Sequence, residues 1–140
     1  MRTGGPEGAA VLARVREVVA EETAGQGGVL ASSVHIHFFL DGPRRRSKAH
    51  GVEALLLRRG VADPAGELSR WAVAVGDSAN DASLFAPGRF ALPVGVRNIE
   101  RYLPELAELG EAAPRHVTQA PEGWGVIELI DDLLAGRLGV

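Results

Sequence analysis

The 140-residue chain contains no cysteine, so disulfides, cysteine-ligated zinc and thiol catalysis are excluded. It contains one methionine, one tyrosine and two tryptophans, and aromatic residues make up 5% of it. No apolar run approaches the roughly 18 residues of a membrane span, and the opening MRTGGPEGAA lacks the basic-then-apolar order of a secretory leader. The chain therefore reads as soluble and cytoplasmic. An excess of charge of either sign is missing too: the net charge is −3, which gives no general attraction to nucleic acid or to an anionic membrane. Lysine is almost absent. Of fifteen basic residues only Lys48 is a lysine.

What is present is ordinary globular material, 46% hydrophobic and 24% charged, in a length that suits one domain. Val11, Leu12, Val15, Val18 and Val19 recur at helical spacing, which predicts a helix over about 8–23. VLASSVHIHFFLDGP alternates and is β-rich; it predicts one long strand, or two broken near Ser32-Ser33, ending at the turn Asp41-Gly42-Pro43. KAHGVEALLLRRG predicts a helix with a stripe of Val52, Leu55 and Leu56 and a stop at Gly60. WAVAV is a short continuous apolar run, the mark of a strand covered on both faces. After it come a short helix in SANDASLFAPG, a strand in RFALPVGV, a helix in NIERYLPELAELG, a strand in RHVTQ and a final helix in PEGWGVIELIDDLLAG. Alternating strands and helices with short links predict an α/β fold with a parallel sheet from about residue 48 onward.

VAVGDSANDASLF is the most informative stretch. Ligands of open α/β sheets bind beyond the carboxyl ends of the strands, and Asp77 stands at that end of WAVAV. Asn80 and Asp81 follow where a starting helix returns them toward Asp77. Two carboxylates and an amide oxygen make a hard-oxygen rim of the kind that Mg²⁺ prefers. The same spacing also suits a plain strand-to-helix turn capped by Asp77 and Asn80.

VGDSANDASLF resembles the fourth signature of the haloacid dehalogenase-like (HAD) phosphatases. SKAHGVEALL, about thirty residues upstream, resembles their third signature, a lysine that opens a helix. The tail from RFALPVGVRNIE to VIELIDDLLAG resembles the type with an α+β cap of the second kind, and APEGWGVIELI is similar, more weakly, to the mannosyl-3-phosphoglycerate phosphatase branch. The resemblance implies a partial Rossmann-like core over 44–140, preceded by the end of a cap over 1–43. It implies Mg²⁺ as cofactor and a phosphomonoester as substrate, of the sugar-phosphate or phosphoglycerate kind. It further implies that Lys48 neutralises the transferring phosphoryl group, that Asp77 and Asp81 hold the metal, and that Asn80 and Asn98 brace the loop or approach phosphate. Ala49 departs from the glycine that many relatives carry.

The first signature of that family, Asp-x-Asp, is absent: the aspartates are 41, 63, 77, 81, 131 and 132. Its first Asp is the nucleophile and its second the general acid and base. No strand-end Ser or Thr matches the second signature. The chain is therefore expected to be the C-terminal half of a phosphatase and inactive by itself; a non-catalytic binding remnant and one subunit of a split enzyme are the alternatives. An unpaired WAVAV edge is the expected consequence.

Other residues carry weaker signals. His35 and His37 share one strand face, as surface or partly buried histidines or as substrate contacts beneath a cap. Trp71 and Trp124 read as core or interface aromatics, with Trp124 able to border a site mouth by family analogy. Arg44 to Arg46 read as a solvated hinge or an aid to anion binding, Asp131-Asp132 as a solvated helix face, and His50 and His116 carry no motif.

Overall fold

The computed structural model describes residues 6–31, 36–39 and 47–139. Helix α1 spans Pro6–Glu22, and strands β1 (Gly28–Ala31) and β2 (Ile36–Phe39) follow as an antiparallel pair with Gly28 opposite Phe39. The β-rich stretch is thus two strands. Ser32-Ser33, His35, the turn at Asp41-Gly42-Pro43 and Arg44 to Arg46 lie outside the described residues. Helix α1 packs on β1, with Val11 and Val18 of its apolar stripe left exposed.

From residue 47 the chain is α/β. Helices α2 (Lys48–Arg58) and α3 (Pro64–Trp71) lead into β3 (Val73–Gly76). A 3₁₀ turn at Ala79–Asp81 runs into α4 (Ala82–Phe85), and β4 (Leu92–Gly95) follows. A second 3₁₀ stretch, Arg97–Tyr102, leads into α5 (Leu103–Glu108), then β5 (His116–Val117) and α6 (Glu122–Leu134). Strands β3, β4 and β5 form a parallel sheet in that order, with Val73 beside Leu92 and Val94 beside His116.

Alternation along the sheet divides the core between two faces. Val73, Val75, Leu92 and Val94 turn toward Leu129 and Leu133 of α6. Ala74 and Val117 turn the other way, into a larger core with Leu68, Phe85, Phe90, Ile99 and Leu106. Both faces are covered by helices, which is why WAVAV is apolar without a break. Strand β3 forms one edge of this sheet, and none of the described strands pairs with its outer side.

Three features depart from the sequence reading. Helix α3 is additional to the elements expected from the sequence: Asp63 caps it by accepting the Gly66 N–H at 3.0 Å, and Pro64 opens it. The stripe proposed for α2 is mostly uncovered: Val52 and Leu55 are exposed, and the buried residue is Ala49. Trp71 and Trp124 are 67% and 72% exposed and so are not core residues, because each stands at a helix end where the sheet offers nothing to cover a large ring. Among the described residues no helix is long and apolar enough to cross a membrane.

Candidate functional site at the carboxyl ends of the parallel strands

Gly76 ends β3, and the chain turns at once into Asp77. A Cβ on Gly76 would stand 2.5 Å from the Asp81 Cβ and 2.7 Å from Phe85 Cζ, so only glycine lets the 77–81 turn fold back onto the strand. That fold-back carries Asp81 into the interior, where it is 3% exposed. Its Oδ2 accepts the N–H of Asp77 at 2.9 Å and of Ser78 at 3.2 Å. The carboxylate thus satisfies donors that the turn would otherwise leave unpaired.

Lys48 reaches this turn from a different element. Ser47 precedes it as the N-cap of α2, its hydroxyl accepting the His50 N–H at 3.3 Å and lying 2.8 Å from His50 Nδ1. Buried Ala49 seats the first turn of α2 against α4, and the Ala49 N–H donates to Ser83 Oγ at 3.5 Å. Lys48 Nζ then forms an ion pair with Asp81 Oδ1 and donates to Asn80 Oδ1 at 3.3 Å. Asn80 Oδ1 also accepts the Ser78 hydroxyl at 2.8 Å. An ammonium suits this corner because it donates in several directions from one point, where a guanidinium presents a flat fork.

Asp77 is exposed, and its carboxylate makes no hydrogen bond to a described residue. Among the described residues it therefore has no partner, and it stands beside a carboxylate already engaged by three donors. No cluster of three or more His, Asp or Glu side chains able to hold a metal exists among the described residues. The local donor set is one open carboxylate, the Asp81 carboxylate with one Lys-paired oxygen, and the Asn80 amide. A hard cation that keeps most of its water fits such a rim; a cation that needs a closed protein cage does not.

Asn98 lies on the same sheet edge, three residues beyond Gly95, the register partner of Gly76. Its Oδ1 accepts the Glu122 N–H at 3.0 Å and so ties the turn after β4 to the start of α6. Of the residues singled out in the sequence, Lys48, Asn80 and Asp81 touch one another, Asp77 adjoins them through its backbone, and Asn98 bonds elsewhere. Ser47 and Ser78 went unnoticed. A serine just ahead of a helical stripe, and a serine three residues before an Asp, are both capping signals that could have found them.

Over 67 residues, 48% of this chain and 25% of the relative, the sequence is 36% identical to phosphoglycolate phosphatase 2 of Saccharolobus solfataricus. The matched stretch spans a quarter of the length of that curated relative. No family model matches the chain, and no solved structure matches it. The similarity to that phosphatase supports a relation to the HAD phosphatases at the level of the superfamily.

Proposed function

We propose that the chain carries the lysine and metal half of a Mg²⁺-dependent HAD-type phosphomonoesterase, and that its nucleophilic carboxylate and general acid come from a segment outside this sequence. The observation that carries the reading is the meeting of Lys48 with Asn80 and Asp81 beside the exposed Asp77, at the carboxyl ends of parallel strands.

In this reading Asp77 and Asp81 would hold Mg²⁺, with the oxygens of Asp81 shared with Lys48 and two backbone donors. When bound, the cation neutralises phosphate oxygens as charge shifts during transfer. The Lys48 ammonium lies beside the same position, so a phosphoryl group there meets a positive charge held in place by Asp81 and Asn80. Such preorganised charge lowers the barrier without reorganisation at the moment of reaction. The substrate class is a small phosphomonoester, a sugar phosphate or a compact carboxylated phosphate of the sort in the relative's name.

The test is to assay the purified chain with Mg²⁺ on an aryl phosphate, on sugar phosphates and on phosphoglycolate, alone and co-expressed with the Asp-x-Asp half of a related enzyme. The expected result is turnover only in the complemented sample, abolished by Asp77→Asn. Turnover by the lone chain would overturn the assignment of the nucleophile elsewhere. Silence in both samples, with the two halves shown to associate, would favour a binding module.

A further inference from the structure

Three loops make the rim at the carboxyl edge of the sheet: 77–81 after β3, 96–98 after β4 and 118–121 after β5. One carboxylate on α6 joins them. Glu128 stands mid-helix and half-buried, so it does not serve as a cap. Its Oε1 accepts the Gln119 N–H at 2.8 Å, and its Oε2 accepts the Ala120 N–H at 2.8 Å. The carbonyls of that pair face the neighbouring loop: Gln119 O accepts Arg97 Nη1 at 3.3 Å, and Ala120 O accepts the Arg97 backbone N–H at 3.3 Å. Thr118, 1% exposed, adds its hydroxyl to Ala120 O at 2.8 Å. One residue before Arg97, the Val96 N–H donates at 3.0 Å to Gly76 O, the carbonyl of the peptide that joins Gly76 to Asp77.

We propose that Glu128 is a positioning residue: its two-pronged grip on the 119–120 loop sets, through Arg97 and Val96, the peptide from which Asp77 projects. Hydrogen bonds from N–H groups to an ionised carboxylate are about twice as strong as neutral ones, and two of them converge here on adjacent amides. The pair fixes both the position and the tilt of the loop. A glutamine cannot replace it, because one of its two prongs is itself a donor and would face a backbone N–H. Gly125 leaves the loop no slack on the α6 side: a Cβ there would lie 2.5 Å from both Ala120 O and Thr118 Oγ1. A loop pressed on that side and held by Glu128 has one position open to it, and Arg97 transmits that position to β4.

The part of the inference that concerns Mg²⁺ rests on the reading of Asp77 given above; the part that concerns the loops does not. The experiment uses the ¹⁵N-labelled 140-residue chain and its Glu128→Gln variant, with Asp131→Asn as a control acid on the same helix. Amide hydrogen exchange and MgCl₂ titration are read residue by residue. Glu128→Gln is expected to speed exchange at Val96 and Arg97 by roughly tenfold or more relative to Val94 and to α2. It is expected to weaken Mg²⁺-induced shifts at Asp77 by roughly tenfold in affinity, the usual scale for a residue that orients a ligand. Asp131→Asn should do neither.

Equal acceleration at Val94 and α2 would mean that Glu128 only stabilises the fold, and unchanged exchange at Val96 and Arg97 would overturn the proposal outright. If the unaltered chain shows no Mg²⁺ response at Asp77, the metal reading fails while the exchange data still judge Glu128. Should the glutamine variant not fold, Glu128→Asp, which keeps the charge and shortens the reach, is expected to give a partial version of the same local pattern; its absence would count against the proposal.

Discussion

At the scale of single residues, the site depends on one buried carboxylate and one missing side chain. Asp81→Asn keeps the volume but leaves a single acceptor oxygen for donors that now occupy two. Whichever way the amide turns, its NH₂ faces either the Lys48 ammonium or a backbone N–H. A loss of roughly 2–3 kcal/mol is expected, read as a lower urea midpoint with an unchanged slope; an unaltered midpoint would show that the carboxylate does not brace the turn. Gly76→Ala should cost at least about 2 kcal/mol, because the new methyl meets Phe85, itself 1% exposed, and the Asp81 side chain. Lys48→Arg is the chemical counterpart. In the complemented enzyme it should lower kcat by roughly a hundredfold, since a flat fork cannot sit where a single ammonium meets Asp81 and Asn80. Wild-type turnover in that variant would make the lone lysine an accident of composition.

At the scale of elements, few contacts hold α2 in place. Ala49 is its buried residue, Leu56 packs partly, and on the far side Glu53 pairs with Arg89 at 2.8 Å. Its first turn is set by Ser47, whose hydroxyl accepts from His50. Ser47→Ala removes that cap and should cost about 1 kcal/mol. The loss should concentrate in the turn that presents Lys48, so exchange of the His50 amide is expected to rise more than that of Leu56. Equal change along the whole helix would mean that the cap contributes only to overall stability. The turn after β3 winds as a 3₁₀ helix over Ala79–Asp81, and the Asp81 carboxylate reaches back to the N–H groups of Asp77 and Ser78 in the manner of a capping box.

At the scale of the whole molecule, the apolar surface is unevenly covered. Among the described strands β3 is an edge, and its Val73 and Val75 are only half-buried beneath α6. The outer face of α6 leaves Ile127 51%, Ile130 49% and Leu134 82% exposed. An unpaired apolar edge next to a bare apolar helix face invites pairing with another chain. The isolated protein is therefore expected to self-associate, with sedimentation velocity showing mass that grows with concentration. Ile127→Lys combined with Leu134→Lys should reduce that growth, since both positions face solvent and tolerate a charge. A monomer at every concentration would show that the edge is protected after all.

Much of this molecule could be read without coordinates, because the relevant physics is local. A lysine behind a serine cap, a glycine before an aspartate, alternation in WAVAV and a stop at Gly60, which adopts φ +85, involve neighbours along the chain. The start of helix α3 at Asp63-Pro64 is equally local. Coverage was not legible: that Val52, Leu55, Trp71 and Trp124 face solvent depends on which distant elements arrive to bury them. Nor was the pairing of Asp81 with Lys48, which depends on α2 docking beside the 77–81 turn. The grip of Glu128 on the 119–120 loop belongs to the same class, since its meaning comes from Arg97 just after β4 and Gly76 at the end of β3. Sequence by itself determined the α/β alternation and the residue types at the sheet edge, through caps, turns and periodicity that act within a few residues. Tertiary structure decided which partner the second Asp81 oxygen takes, because Lys48 arrives from α2, an element more than thirty residues away along the chain.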